Sequence, residues 1–262
     1  MPELPEVETT VRGLTRILDG ALIVRAETRR ANLRRAFPPD LIQVLTRATV
    51  TGLGRRAKYG LIHTDRAQTL VFHLGMSGRW RIDPEELGKH DHLVLETGTG
   101  HLLALCDPRR FGSVDLVASA ALDLWPPFTA LGPEPLGPGL TAQHLRTALA
   151  GRIASIKLML LDQRIVAGLG NIYVCEALFR AKIDPRKAAG LVALPALKRL
   201  VPAIRSVLDE AIAAGGSSLR DYAQPSGELG YFAKQFDVYG REGDPCICGG
   251  TVARIVQGGR ST

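Results

Sequence analysis

The sequence predicts an α+β protein that has an N-terminal antiparallel β-sandwich flanked by helices, a helical domain, and a small C-terminal β-hairpin. Three observations predict this order. Short strand-like runs fill residues 21–117, apolar residues at helical spacing dominate residues 140–215, and a proline- and glycine-rich stretch lies between them. We therefore expect a first domain at 1–124, a semi-rigid linker at 125–140, a second domain at 141–223 and a C-terminal segment at 224–262.

The first element is a helix at the N-terminus. Pro5 occupies its first turn, acidic residues follow near the positive end of the helix dipole, and apolar residues recur on one face up to Leu18. No helical run separates most of the strand-like segments that follow, so we expect an antiparallel sheet rather than βαβ units. These segments are ALIVRAE, ATVTGLG, YGLIHT, TLVFHL, HLVLE, HLLALC and SVDLV.

The second half of the chain is predicted to be mostly helical up to Gly215. The helical runs are LTAQHLRTALA, SIKLMLLDQRIVAG, NIYVCEALFRA and LPALKRLVPAIRSVLDEAIAAG, with breaks at GLGN and IDP. A polar, glycine-rich loop then precedes TVARIV and QGGRST, which predict a small β-ribbon.

Composition limits the classes of function. With 45% hydrophobic and 23% charged residues the chain is globular, and it has no apolar stretch long enough to cross a membrane. A net charge of +7 favours a polyanionic partner, nucleic acid first. The N-terminus has no apolar signal-peptide region, which predicts a cytoplasmic protein, and Cys106 and Cys175 lie in apolar contexts typical of core packing.

Four blocks of sequence point to one family. They are MPELPEVETT, HLGMSGRW with DPRRFG, LLDQRIVAGLGNIYVCEALF, and VYGREGDPC with QGGRST, in this order along essentially the whole chain. Together they closely resemble the bacterial formamidopyrimidine-DNA glycosylase family. The resemblance implies a helix-two-turn-helix domain, a C-terminal finger, and a bifunctional glycosylase and AP lyase. Such an enzyme excises oxidised purines such as 8-oxoguanine and formamidopyrimidines from duplex DNA.

The family's catalytic positions fall on Pro2, Glu3, Lys58 and Arg260. If Met1 is removed, Pro2 presents a secondary amine whose reference pKa of about 7.7–8.0 leaves an appreciable neutral fraction for attack on the sugar C1′. Glu3 is placed to transfer protons to the ribose oxygen and the leaving base. The resemblance implies that Lys58 binds a phosphate of the lesion and assists β-elimination. It implies that Arg260 clamps a phosphate and assists δ-elimination. Taken alone, PELPE would be a helix lead-in.

The resemblance also assigns positions that contact DNA. A void-filling wedge enters the stack when the damaged base is extruded, and a polar lid spanning residues 217–231 covers that base. The wedge residues are Met76, Arg109 and Phe111. The lid is represented by Ser217, Ser218 and Tyr231. The remaining DNA contacts are His90, Arg110, Arg152, Lys157 and Asn171, the last in a GLGN turn where backbone amides approach a phosphate.

The finger departs from the family pattern. The family binds one structural zinc ion through two cysteine pairs, but here the first pair is compressed to Cys246 and Cys248, and no second pair follows before Thr262. We therefore expect either a sequence truncated after the first finger strand, which we favour, or a finger held without metal. Zinc binding by this chain is doubtful on either expectation.

Three rival functions remain at this stage. An endonuclease VIII type of glycosylase prefers oxidised pyrimidines, and a lesion-sensing protein binds DNA without cutting it. RNA binding is disfavoured because only 5% of residues are aromatic, too few for a stacking platform. The leading expectation is a monomeric cytoplasmic enzyme whose partner is double-stranded DNA containing oxidised bases, with no membrane attachment.

Overall fold

The computed structural model describes residues 2–217 and 223–262, and the chain divides into two compact units. Unit 1 joins Met1–Thr129 to Ala214–Tyr231, and unit 2 joins Ala130–Ala213 to Phe232–Thr262. The loop before Phe232 groups with unit 1, because the backbone N–H of Ile82 donates to the Pro225 carbonyl at 3.0 Å.

Unit 1 begins with helix α1, Leu4–Leu18, as the sequence predicts. Its apolar face is buried in the core and its polar face carries the exposed residues. Eight antiparallel strands follow, with a short helix α2 at Leu41–Leu45. The strands are β1 Leu22–Thr28, β2 Ala48–Arg56, β3 Tyr59–Thr64, β4 Gln68–His73, β5 Arg79–Ile82, β6 Asp91–Thr97, β7 Leu102–Cys106 and β8 Ser113–Ala118.

The strands are hydrogen-bonded in the order β5-β7-β6-β1-β2-β3-β4-β8. Strands β1 and β2 pair only through Leu22 with Thr49 and Ile23 with Ala48, so this junction links two four-stranded halves. The halves face each other, because the Phe72 ring of β4 packs edge-on against Trp80 of β5 at 5.6 Å between centroids. One buried core draws on α1 and both halves, which confirms the predicted antiparallel β domain.

Strand β5 and helix α2 are among the elements of unit 1 that were not predicted. Strand β5 has four residues, and arginines at Arg79 and Arg81 hide its alternation of buried and exposed positions. Helix α2 has five residues and no capping side chain, so its sequence carries almost no helical signal. Both form because they cover the core, where Trp80 and Leu41 are fully buried.

Unit 2 is helical, as predicted. It contains α4 Ala142–Leu149, α5 Ile156–Leu160, α6 Asn171–Arg180 and α7 Leu194–Ala213, after a short α3 at Pro126–Thr129 that closes the first part of unit 1. The proline-rich segment before α4 is held by the Arg205 guanidinium, which donates to the carbonyls of Pro135, Gly137 and Leu140.

Helix α5 is much shorter than the predicted run to Gly168. It ends because Asp162 accepts a hydrogen bond from the Arg164 backbone N–H at 3.0 Å, a local turn that competes with helix continuation. The C-terminal hairpin forms as predicted, from β9 Val256–Gln257 and β10 Arg260–Ser261. Across the described residues no helix is long and apolar enough to span a membrane.

Candidate active site and nucleic-acid interface

The start of α1 holds the first two candidate catalytic residues. Pro2 and Glu3 are both buried, and Glu3 is the N-cap residue of the helix. The Glu6 carboxylate accepts a hydrogen bond from the Glu3 backbone N–H at 2.8 Å, which completes a capping box. Residues 2 and 3 are therefore fixed by the helix that follows them rather than left as a free terminus.

Glu6 also holds a second segment, and the sequence analysis did not identify it as a site residue. Its other carboxylate oxygen accepts from the Ser217 backbone N–H at 2.9 Å, in a buried position. One carboxylate thus joins the candidate catalytic N-terminus to the first residue of the predicted lid. The capping pattern of Glu3 and Glu6 was visible in the sequence, but the contact with a residue 211 positions away was not.

Lys58 lies in the tight turn between β2 and β3 and is largely buried. The turn has Ala57 at a positive φ of 53°. Arg55 fixes it, since its guanidinium donates to the Ala57 carbonyl at 2.9 Å and to the Glu8 carboxylate on α1 at 2.9 Å. The Lys58 turn and helix α1 are therefore joined by a partly buried ion pair.

His73 is a further member of this region that the sequence analysis missed. Burial, with the nearby positive charge of Lys58 as the next cause, lowers the pKa of His73 from 6.5 to about 4. At neutral pH its ring is uncharged, and Nδ1 accepts from the Gly75 backbone N–H at 3.0 Å. The signal available in the sequence was the histidine that opens HLGMSG, next to the wedge methionine.

The three predicted wedge residues project from two loops of unit 1. Met76 lies in the loop between β4 and β5, whereas Arg109 and Phe111 lie in the loop between β7 and β8. The Arg109 guanidinium carbon lies 4.9 Å from the centroid of the Phe111 ring, which is 45% exposed. The backbones of the two loops meet at Gly75 and Phe111, and the Phe111 ring under Arg109 stays partly exposed.

Two predicted DNA contacts border the wedge. Arg110 is exposed and has a positive φ of 56°, so the backbone turns sharply and directs its side chain outward. His90 is half-buried, with its ring centroid 6.2 Å from that of His92.

The predicted lid is anchored at its two ends. Ser217 and Tyr231 form an antiparallel bridge, and the Tyr231 N–H donates to the Ala214 carbonyl at 3.0 Å. Gly230 permits this crossing, because a Cβ there would lie 2.2 Å from the Gly216 carbonyl oxygen. Ser218 lies outside the described residues.

In unit 2 the GLGN segment forms the turn that starts α6. Gly170 is the N-cap residue, and the Asn171 side-chain amide donates to the Ser261 carbonyl at 2.8 Å. Gln163, which the sequence analysis did not single out, accepts from Gly168 N–H and donates to the Leu169 carbonyl, each at 2.8 Å. The turn is thus shaped by one glutamine side chain and ends at the start of α6.

Lys157 has a different environment from the one predicted. It is 0% exposed, and its ammonium donates to the Ser261 carbonyl at 2.9 Å and to the Thr262 hydroxyl. Burial is the main cause that lowers its pKa, and the nearby positive charge of Arg260 adds to that effect. The Lys157 ammonium therefore contacts the end of the hairpin strand. We expect Lys157 to support that strand rather than to contact DNA directly.

Arg260 is exposed and directly follows the hairpin turn. Gly258 and Gly259, with φ of 54° and 72°, adopt the left-handed conformation that a tight two-residue hairpin turn requires. Their sequence was therefore a readable signal for the turn. Arg152 is also exposed and lies after Gly151, whose φ is 69°.

The residues at Cys246 and Cys248 do not fit a closed zinc site. Their Sγ atoms are 2.9 Å apart, whereas two thiolates on a tetrahedral zinc lie about 3.8 Å apart when each Zn–S bond is about 2.3 Å. Among residues 2–217 and 223–262 there is no group of three or more His, Cys, Asp or Glu side chains arranged to hold a metal ion. We therefore derive no step through a metal.

This mismatch predicts the metal content. The 262-residue chain, purified and dialysed against excess zinc and then against buffer, is expected to retain well under one zinc per molecule, because only two adjacent thiols are available in the described finger. Elemental analysis by plasma mass spectrometry measures the ratio. Stoichiometric zinc that is lost in Cys246→Ser would contradict the expectation.

Comparison with known proteins agrees with this geometry. Residues 1–114 match the family model for the formamidopyrimidine-DNA glycosylase N-terminal domain, and residues 131–223 match the model for its H2TH domain. The chain is 72% identical over 262 residues to the formamidopyrimidine-DNA glycosylase of Novosphingobium aromaticivorans, covering 100% of this chain and 97% of that protein. It is 52% identical over 262 residues to that of Zymomonas mobilis, with the same coverage.

Solved structures give the same result. A mutant of the Lactococcus lactis Fpg in complex with Fapy-dG containing DNA has a TM-score of 0.92 at 34% identity, over 100% of this chain and 97% of that one. MutM (Fpg) from Thermus thermophilus has a TM-score of 0.89 at 38% identity, over 100% and 96%. Fold and sequence together define a DNA glycosylase of base excision repair. The chain belongs to the formamidopyrimidine-DNA glycosylase family, for which AP lyase activity is typical.

Proposed function

We propose that this enzyme excises oxidised purines, 8-oxoguanine and formamidopyrimidines, from duplex DNA and then cleaves the abasic site by β,δ-elimination, with Pro2 as the nucleophile. The observation that carries the proposal is the buried start of α1, where Glu6 fixes Glu3 next to Pro2. The solved relative from Lactococcus lactis is bound to DNA containing Fapy-dG, which supports the purine class.

The chemistry requires a free, neutral amine at Pro2. Its nitrogen attacks C1′, the bond from C1′ to the base breaks, and the base leaves with the electron pair and a proton supplied through Glu3. The amine proton is then lost, the C1′–O4′ bond breaks with protonation of O4′, and an iminium joins Pro2 to the opened sugar.

Strand cleavage uses the same covalent intermediate. Removal of a 2′ proton releases the 3′ phosphate, and removal of a 4′ proton releases the 5′ phosphate. We assign Lys58 to a lesion phosphate and to the first elimination, because it is held in the turn that Arg55 ties to α1. We assign to Arg260 the binding of a phosphate and assistance to the second elimination, because it is exposed directly after the tight turn formed by two glycines.

The exposed arginines of unit 2 give a measurable prediction for DNA binding. Arg152→Ala and Arg260→Ala are each expected to weaken lesion and undamaged duplex alike, and to lower the salt slope of log K by about one, because each loses a phosphate contact. Fluorescence anisotropy over a salt series measures both. Arg186→Ala is the matched control, since this exposed arginine pairs with Asp184 and is expected to leave the slope unchanged.

Loss confined to lesion DNA would contradict the assignment of Arg152 and Arg260. Lys157→Met is expected to reduce DNA binding with a smaller change of slope, because the Lys157 ammonium contacts Ser261 and not solvent.

The substrate class is tested with a panel of duplexes that differ in one base. Duplexes containing 8-oxoguanine, thymine glycol or undamaged guanine are incubated with excess enzyme, and base release and strand cleavage are followed in single turnover. Preferred excision of 8-oxoguanine supports the proposal. Preference for thymine glycol would identify the endonuclease VIII type, and tight binding without base release would identify a lesion-sensing protein.

We also propose that the enzyme acts as a cytoplasmic monomer on chromosomal DNA.

A further inference from the structure

A single buried carboxylate joins the two loops that carry the wedge. Asp107 is 0% exposed, and its Oδ1 accepts from the Ser77 hydroxyl at 2.7 Å while its Oδ2 accepts from the Gly112 backbone N–H at 2.8 Å. Ser77 directly follows Met76, and Gly112 directly follows Phe111. The carboxylate therefore contacts the neighbour of a wedge residue in each loop.

Ser77 extends the connection to the third wedge residue. Its Oγ accepts from the Arg109 backbone N–H at 3.1 Å while its own proton is donated to Asp107. Ser77 is 3% exposed, so both hydrogen bonds are shielded from water. Met76, Arg109 and Phe111 are thus each adjacent to, or part of, one buried hydrogen-bond network.

The two loop backbones are also packed too closely to move independently. Gly75 has a φ of 63°, and a Cβ there would lie 2.4 Å from the carbonyl carbon of Phe111. A Cβ at Gly112 would lie 2.8 Å from the His73 carbonyl oxygen. Asp107 is itself fixed, because its N–H donates to the His90 carbonyl at 2.9 Å and its carbonyl lies 3.0 Å from His92 Nε2.

We propose that Asp107 is a positioning residue that makes Met76, Arg109 and Phe111 enter the DNA stack as one preorganised unit. The inference rests on the proposed function of these three residues as a void-filling wedge. A wedge must replace an extruded base at once, and side chains on independently moving loops would have to be ordered during entry. The buried carboxylate fixes both loops before DNA arrives and touches neither substrate nor reacting atoms.

Two substitutions break this network in different places. Asp107→Asn leaves one acceptor oxygen for two donors, the Ser77 hydroxyl and the Gly112 N–H, and Ser77→Ala removes the bridge between Asp107 and Arg109. Asp83→Asn is the control for loss of a hydrogen-bonded carboxylate elsewhere in the same unit, at a side chain that is 49% exposed. Asp83 also accepts from a backbone N–H, that of Leu102, and from a histidine, but it lies at the end of β5 away from the wedge loops.

The test compares two substrates of the same enzyme. In one, a duplex, the wedge must enter the base stack; in the other, a single strand, there is no duplex stack to enter. On a duplex with 8-oxoguanine beside 2-aminopurine, both variants are expected to slow single-turnover excision and the fluorescence change by about 10- to 100-fold, because a buried polar group loses its partner. On a single strand with a preformed abasic site, borohydride trapping is expected to stay within about threefold of the parent.

A double-mutant cycle separates positioning from general destabilisation. In a Met76→Ala background, Asp107→Asn is expected to slow duplex excision by a smaller factor than it does in the parent, because one of the three residues through which it acts is already gone. Independent, multiplicative losses in the cycle, or equal losses on both substrates, would overturn the assignment of Asp107. A Met76→Ala enzyme with the parent rate on the duplex would instead overturn the wedge itself. If Asp107→Asn fails to fold, Ser77→Ala carries the same comparisons.

Discussion

An enzyme that keeps a residue in front of Pro2 is expected to form no borohydride-trapped adduct with abasic DNA, whereas the same protein with Pro2 exposed is expected to form one. The reason is that acylation turns the Pro2 nitrogen into an amide, which has no available electron pair for attack on C1′. The comparison uses one preparation carrying an N-terminal extension, tested before and after everything up to and including Met1 is removed by proteolysis. No side chain of the mature protein differs between the two samples.

Binding provides the control for this experiment. The extension removes no proposed phosphate contact, so affinity for a lesion duplex is expected to stay within about tenfold. Undiminished trapping by the extended protein would show that another group is the nucleophile. Loss of both trapping and binding would indicate that the extension obstructs the site. A protein with a single alanine in place of the extension then tests the nucleophile, because it blocks the Pro2 nitrogen with a much smaller group.

The second large effect is expected for Glu3→Gln. The amide keeps the size of the side chain and an acceptor for the capping box, but it cannot exchange protons, so excision of 8-oxoguanine should fall by about a hundredfold or more. Lesion binding should change little. Quenched-flow measurement of base release gives the rate, and Glu86→Gln in an exposed loop of the same unit is the control.

A Glu3→Gln enzyme that releases the base at the parent rate would remove Glu3 from the proton-transfer role. The preformed abasic site adds a useful comparison, because base departure has already occurred there. Trapping on that substrate should therefore fall less than excision from the intact lesion.

Local signals in the sequence predicted much of the fold. Helix α1 follows from a proline and acidic residues at its start and an apolar face, and the hairpin turn follows from adjacent glycines at 258 and 259. Short elements were missed because five residues of α2 hold no periodic pattern of their own and form only over a core. Helix α5 was predicted too long because apolar spacing continues past the turn at Asp162.

Contacts between distant residues account for what the sequence did not predict about the site. Lys157 has the sequence context of a surface cation, and its burial depends on Ser261, 104 positions away. Asp107 and Ser77 are 30 positions apart, and Glu6 and Ser217 are 211 apart. Each residue type was visible, but the pairing that gives it a role exists only after folding.

The nucleophile itself is tested most directly by locating the covalent bond. The mature enzyme is trapped with borohydride on a duplex containing 8-oxoguanine, the DNA is trimmed to its sugar remnant, and the modified peptide is sequenced by tandem mass spectrometry. Our account predicts one modified peptide, the N-terminal one, with the added mass on Pro2. A remnant on Lys58 or Lys157, with Pro2 unmodified, would contradict it.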